Sequence, residues 1–185
     1  MPALIAGGVI LMLALIWAIA TYNHLVNLRN FVKESWSGID TELKRRYDLI
    51  PNLVKTVQGY AHHEQETLRL LVEARNRAVG STGSPESQAK DENVLVGRLK
   101  EFLAVVENYP NLKANENFLK LQGELANTED RIQAARRFYN ANVRDLNTHI
   151  EVFPSNLIAK AFGFQRAEFF EIESAVERAA PRVAL

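Results

Sequence analysis

The densest grouping of side chains able to ligate zinc or iron is His62, His63, Glu64 and Glu66. Their order does not fit a helical metal site. Di-iron bundles place Glu-x-x-His on each of two helices, whereas here His63 precedes Glu66 and no second copy exists; the His-Glu-x-x-His pattern of zinc proteases is missing as well. The grouping is expected to be a solvated polar face. Serines occur at 35, 37, 81, 84, 87, 155 and 174, none in a nucleophile elbow, and the absence of cysteine removes thiolate nucleophiles, cysteine metal sites and disulfides. No catalytic, cofactor-binding or metal-ligating residue is assigned, and the chain is expected not to be an enzyme.

The basic points are Lys44, Arg45 and Arg46, with Arg136 and Arg137. They are offset by nearby Glu42, Asp48, Glu129 and Asp130 within a chain of 22 basic and 22 acidic residues. A neutral balance gives no field to draw a polyanion, so no nucleic-acid partner is expected. The expected use is ion pairing: Asp40 with Lys44 on one helix face, and Thr128, Glu129, Asp130 and Arg131 as caps or partners across helices.

The element that fixes the position of everything else comes first in the chain. Ala3 to Ala20 is a run of 18 residues without a charged or strongly polar side chain. At about 1.5 Å per residue it spans about 27 Å, close to a bilayer core of about 30 Å. Ala3, Leu4, Ile5, Leu11, Leu13, Leu15, Trp17, Ala20 and Tyr22 are therefore expected to anchor the chain in a lipid bilayer, with Trp17 and Tyr22 at headgroup level. A cleaved signal peptide is the rival reading, because Ala18-Ile19-Ala20 resembles a processing site; the lack of Lys or Arg before the run favours an uncleaved anchor. Arg29, Lys33 and the triplet at 44–46 follow the run, which predicts a single-pass membrane protein with its water-soluble part in the cytoplasm.

Apolar residues then recur in steps of three and four at Leu25, Leu28, Val32, Trp36, Ile39, Leu43, Tyr47, Ile50, Val54, Val57 and Ala61, resuming at Leu68 and Leu71. This spacing predicts one helix from Tyr22 to Val79, continuous with the anchor and kinked near Ile50 by Pro51. Residues 81–85 carry turn chemistry and predict a mobile loop, with Ser84 capping a second helix whose inner face is Val94, Leu95, Leu99, Phe102, Leu103 and Val106. A third stripe, from Phe118 through Leu125, Ile132, Tyr139 and Val143 to Ile150, predicts a helix from about Asn111 to Glu151, ended by Phe153-Pro154. Asn23, Asn27 and Asn30 read as a hydrated face. The predicted fold class is all-α, with a single N-terminal transmembrane helix continuing into an antiparallel bundle of three to four long helices. The domains are an anchor over 1–22, a bundle over 23–173 and a flexible tail over 174–185.

Several of these residues also carry a family resemblance: Tyr22-Asn-His-Leu-Val, Leu28-Arg-Asn, Trp36-Ser, the stretch LKRRYDLIPN from Leu43, Gly59-Tyr-Ala-His, Tyr109-Pro-Asn-Leu-Lys-Ala, Thr128-Glu-Asp-Arg-Ile, AARRFYN from Ala134, Phe153-Pro and Phe169-Phe-Glu. In that order they resemble the LemA family. The resemblance implies a bacterial, membrane-anchored bundle of long helices without an established biochemical activity. The expected function is a scaffold or adaptor of membrane processes acting through protein contacts or self-assembly; membrane remodelling is the alternative, and an enzyme with an unrecognised site stands behind both. Expected partners are the bilayer, an unidentified membrane or cytoplasmic protein, and further copies in a homo-oligomer, to which the spacing of Ala3 with Gly7 and of Ala14 with Ala18 is suited. Phe162, Phe164, Phe169 and Phe170 are the candidate interaction residues: four aromatics that can close the bundle, dip into lipid or dock a partner.

Overall fold

The computed structural model describes residues 1–61 and 63–173, apart from the side chain of Ala3. The expected flexible tail over 174–185, and His62, lie outside the described residues. The elements, in order, are α1 (Pro2–Gln58), α2 (Gln65–Gly80), α3 (Pro85–Val106), α4 (Pro110–Lys113), α5 (Glu116–Glu151) and α6 (Ser155–Ala161). No strand occurs among the described residues. The fold is the expected all-α bundle with a long apolar helix at its N-terminus. The chain divides into two compact units, and α1 and α5 each supply residues to both.

The first unit comprises residues 1–37 and 138–169. Its core is built from Leu25, Leu28 and Val32 of α1 and Tyr139, Val143 and Leu146 of α5, all buried. Each such side chain contributes roughly 1.5–3 kcal/mol when taken out of water. The two helices run antiparallel, because the His24 ring meets His149 at 4.7 Å and the Trp36 ring meets Tyr139 at 5.3 Å. Beyond α6 the chain is extended, and side chains of α5 supply the main-chain partners that a helix or sheet would otherwise provide. The Asn147 amide donates to the Ala167 carbonyl at 2.9 Å and accepts from its N–H at 2.8 Å, while the Tyr139 hydroxyl donates to the Glu168 carbonyl at 2.8 Å.

The second unit comprises residues 38–137 and 170–185, described as far as Glu173. The stripe in α1 keeps its register here: Ile39, Leu43, Tyr47, Ile50, Val54 and Val57 are all buried. The helix does not run to Val79. It ends at Gln58, where Gly59 and Tyr60 turn the chain with the Tyr60 and Ala61 N–H groups both donating to the Val57 carbonyl at 2.9 Å. Pro51, by contrast, lies inside α1. A proline there cannot donate to the carbonyl four residues back, that of Tyr47. Arg75 of α2 takes the place of the missing donor, its Nε donating to the Tyr47 carbonyl at 3.2 Å. The helix therefore continues past Pro51, and α2 is fastened to α1 at the point the proline exposes.

Ser84 caps α3 as expected, its hydroxyl accepting from the Ser87 N–H at 3.4 Å, with Pro85 in the first turn. The loop before it is tied down by polar contacts in place of apolar ones: Ser81 donates to Asp91 at 2.8 Å and Gln88 to the Gly83 carbonyl at 2.8 Å. The inner face of α3 is shifted from expectation. Leu95, Leu99, Phe102 and Val106 are buried, but Val94 is exposed and Leu103 half-buried, and Ala89, Glu92 and Val96 fill the face instead. The third long helix begins later than Asn111: the single turn α4 and the bend at Ala114 and Asn115 precede α5, whose first turn is capped by the Asn115 side chain accepting from the Phe118 N–H at 3.0 Å. Its end at Glu151 is as expected.

Candidate functional site

The residues expected to anchor the chain lie on α1, exposed from Leu4 to Ala20 and packed against other rings only at Tyr22. Leu4 is 78% exposed, Leu11 73% and Leu13 61%; Ile5, Leu15, Trp17 and Ala20 are exposed as well. An 18-residue window of this helix has a mean hydropathy of 2.5 with none of it buried, so α1 is long and apolar enough to cross a membrane. Burial starts at the end of this run. Thr21 and Tyr22 are half-buried and Leu25 is fully buried, while Asn23, Asn27 and Asn30 are all exposed.

The four candidate phenylalanines separate into different environments. Phe162 is 63% exposed, yet its ring lies 4.7 Å from that of Tyr22. Phe164 lies 5.9 Å from the same tyrosine, and the Arg29 guanidinium sits 5.3 Å from the centre of its ring. This aromatic collar belongs to the first unit and sits where the apolar run ends. Phe169 is half-buried. Phe170 belongs to the second unit, where it and Ile172 are core residues. Phe169 and Phe170 are adjacent in the sequence yet differ in burial, because an extended segment sends alternate side chains to opposite faces.

The second unit holds a buried cluster of charge. Arg46 of α1 is fully buried; its guanidinium pairs with Glu129 of α5 at 2.8 Å and with Glu92 of α3, both carboxylates buried too. The Tyr47 hydroxyl donates to the second oxygen of Glu92. Burial alone disfavours the Arg46 cation, but Glu129 and Glu92 outweigh it and raise its pKa above the ordinary value. Glu92 is shifted upward: burial penalises its anion by more than Arg46 and Tyr47 compensate. One cation faces two carboxylates, and the excess negative charge adds to the burial that makes Glu92 ready to take a proton. Tyr47 is shifted upward by burial and by the Glu92 charge, so it stays a neutral donor. The cluster joins three helices and is closed to solvent. It is suited to fixing register rather than to turning over a substrate.

The sequence places Arg46 among the cations expected to pair between helices and Glu129 among the partners across them, but it does not foresee that the pair is buried or that Glu92 joins it. Lys44 and Arg45 are indeed exposed, Lys44 bonding Asp40 at 2.6 Å as expected and Arg45 bonding Glu42 at 2.9 Å. A signal is present all the same. Arg46 is three residues after Leu43 and four before Ile50; Glu129 is four after Leu125 and three before Ile132; Glu92 is three before Leu95 and four before Val96. Each charge occupies a position on an apolar stripe, and their signs are complementary.

Of the His62–Glu66 grouping, His62 lies outside the described residues. His63 and Glu66 are exposed, Glu66 pairing with Arg69 at 2.6 Å, which holds its carboxyl below the usual range, and Glu64 accepts from the Tyr109 hydroxyl at 3.1 Å. Among the described residues no three His, Asp or Glu side chains gather to hold a metal ion. A groove of about 600 Å³ in the second unit is lined by Val54, Ala61, Leu68, Val72, Arg69 and Glu73, and its charged residues pair with each other or with Glu66.

The sequence matches known proteins along most of its length. It is 27% identical to magnetosome protein MamQ 2 of Paramagnetospirillum magneticum, over 88% of this chain and 71% of that one. It is also 27% identical to protein LemA of Metamycoplasma hominis, over 84% of this chain and 71% of the relative. Neither name specifies a reaction. Residues 35–185 match the pattern of the LemA family, and the chain belongs to that family.

Proposed function

We propose that the chain is a bilayer-tethered helical scaffold, without catalytic chemistry of its own, that works through contacts with other proteins or with copies of itself. The supporting observation is the character of α1. Its N-terminal part is apolar on every face and covered by nothing, and the same uninterrupted helix then carries a one-sided stripe that contributes to the cores of both units. Apolar surface on all sides of a helix demands an apolar solvent, whereas a one-sided stripe demands a protein partner. The anchor is residues 1–22, the folded scaffold begins at Asn23, and Arg29 and Lys33 after the span favour the cytoplasmic side. The scaffold reading is also supported by what the buried charges do: Arg46, Glu92 and Glu129 join helices to one another.

Fractionation tests the reading. The full chain is expected to stay in the membrane pellet through alkaline carbonate washing, and a chain lacking residues 2–20 to appear in the supernatant with a circular dichroism reduced only by the helix deleted. Recovery of the full chain in the supernatant would refute tethering. Cross-linking in native membranes is expected to give species larger than one chain, and monomer alone would refute the assembly role.

A further inference from the structure

The first unit leaves a second apolar surface uncovered. Around the corner between α5 and α6, Phe153 is 79% exposed, Leu157 58% and Phe162 63%, with Val152 exposed beside them. On α6 itself the buried positions are Ser155 and Ala159, with Ile158 half-buried, so Leu157 points away from the protein. Contiguous exposed apolar side chains of this size mark a contact surface.

The register of the first unit says what lies against it. His24 is level with His149 and Trp36 with Tyr139, so the antiparallel helices step along each other nearly residue for residue. Phe153, four residues beyond His149, comes about level with Ala20, the last residue of the apolar run. Independently, the Phe162 ring touches that of Tyr22, two residues past the run's end. Leu157 lies between them in the sequence, on α6. Any surface at this level faces the headgroup and upper acyl region of the bilayer that the run crosses. The charges agree. Between Glu151 and Ala167, Arg166 pairs with the single carboxylate, Glu151, at 2.9 Å, which leaves Lys160 as the segment's net positive charge, and Arg29 lies over Phe164. Cations around an apolar patch fit an anionic lipid surface.

We propose that the α5–α6 corner and the residue following α6 insert Phe153, Leu157 and Phe162 into the lipid interface beside the anchor, giving the chain a second, non-spanning membrane contact. The proposal rests on the anchored reading of α1. It fixes the first unit against the membrane surface, so that this unit stands at a set inclination in place of swivelling on its span.

The chain has no cysteine, so single labels can be introduced cleanly. Phe153→Cys, Leu157→Cys and Phe162→Cys, each spin-labelled in the full chain, are placed in vesicles of phosphatidylethanolamine and phosphatidylglycerol. Leu11→Cys serves as the label in the span, and Leu119→Cys, at an exposed site of the second unit, as the label in water. At all three corner positions, collision with oxygen is expected to exceed collision with a water-soluble nickel chelate several-fold, as at Leu11→Cys and opposite to Leu119→Cys. If Leu11→Cys reports lipid while the corner labels favour the nickel chelate, the second contact is overturned and the anchor stands. Labels at the corner shielded from both reagents would mean a protein partner or second copy covers the patch, which also overturns it. A water reading at Leu11→Cys removes the anchor, and this proposal with it.

Discussion

Two stretches of one helix invert the ordinary rule for what a protein hides. Between Leu4 and Ala20, α1 exposes leucine and isoleucine on every side; between Gly38 and Gln58 the same helix buries an arginine completely. The first stretch has no protein around it and can be stable only if its surroundings are apolar. The second has helices on several sides, and Arg46 survives there because two carboxylates meet it, one of them also held by a phenol. Hydrophobicity alone describes neither. What decides is whether the partner of each side chain is lipid, a carbon side chain or a countercharge.

The largest effect is expected from making the first stretch resemble the second without its partners. Leu11→Arg with Leu13→Arg places two unpaired cations in the span, at roughly 2.5–3.5 kcal/mol each near the membrane centre. The doubly substituted chain is expected to leave the carbonate-washed membrane pellet, and full retention would show that lipid is not what covers these residues. Next, Arg46→Met strips the second stretch of its charge and leaves Glu92 and Glu129 facing each other in the core. A loss of roughly 3–5 kcal/mol in urea unfolding is expected. Replacing all three charges together, Arg46→Met with Glu92→Leu and Glu129→Leu, is expected to recover most of that loss, since a packed apolar trio carries no desolvation cost. Failure to recover would mean the cluster does more than satisfy itself.

Proton linkage sharpens the same contrast. The Glu92 carboxyl is raised in the folded state, so the folded chain holds a proton there that the unfolded chain has released. The stability it contributes is complete below the ordinary carboxyl value and is lost as pH rises through the raised one. Urea midpoints of the wild type are expected to fall over that interval relative to those of Glu92→Gln, and parallel curves would contradict the assignment. A smaller effect concerns Pro51. Removing the donor with Arg75→Met is expected to cost about 1 kcal/mol, and the cost should vanish in a Pro51→Ala background, where the backbone N–H restored by the substitution reaches the Tyr47 carbonyl. The smallest is Lys44→Ala, a few tenths of a kcal/mol, because Lys44 and Asp40 are both open to water.

The long-range plan of the molecule is legible because helices repeat. The stripes from Leu25 to Ala61 and from Phe118 to Ile150 identify the core-facing side of α1 and α5 almost residue for residue, and Ser84-Pro85 marks the start of α3. What fails is local competition between breakers. Pro51 looks like the stronger interruption, yet its cost is met by Arg75, a residue 24 positions away that no local pattern can supply. Gly59 looks weaker, and the helix ends beside it because the chain must turn there for α2 to reach back to Tyr47. The candidate surfaces are legible only in part. The apolar run declares itself, and Phe162 is singled out with it, but the exposed Phe153 reads only as a helix terminator and Leu157 belongs to no stripe. The buried charges are hidden for a different reason: apolar periodicity is read by skipping charged residues, and Arg46, Glu92 and Glu129 each occupy a position on the stripe.

The comparison between the two stretches of α1 is open to one direct measurement. Single cysteines from Leu4 to Leu43, in the full chain reconstituted in vesicles, are probed with a membrane-impermeant maleimide added to both faces. The account predicts protection at every position through Ala20, then protection that recurs with the helical period from Leu25 onward, at Leu25, Leu28, Val32, Ile39 and Leu43. Periodic protection already present between Leu4 and Ala20 would mean that protein on one side, and not lipid all round, covers the apolar helix.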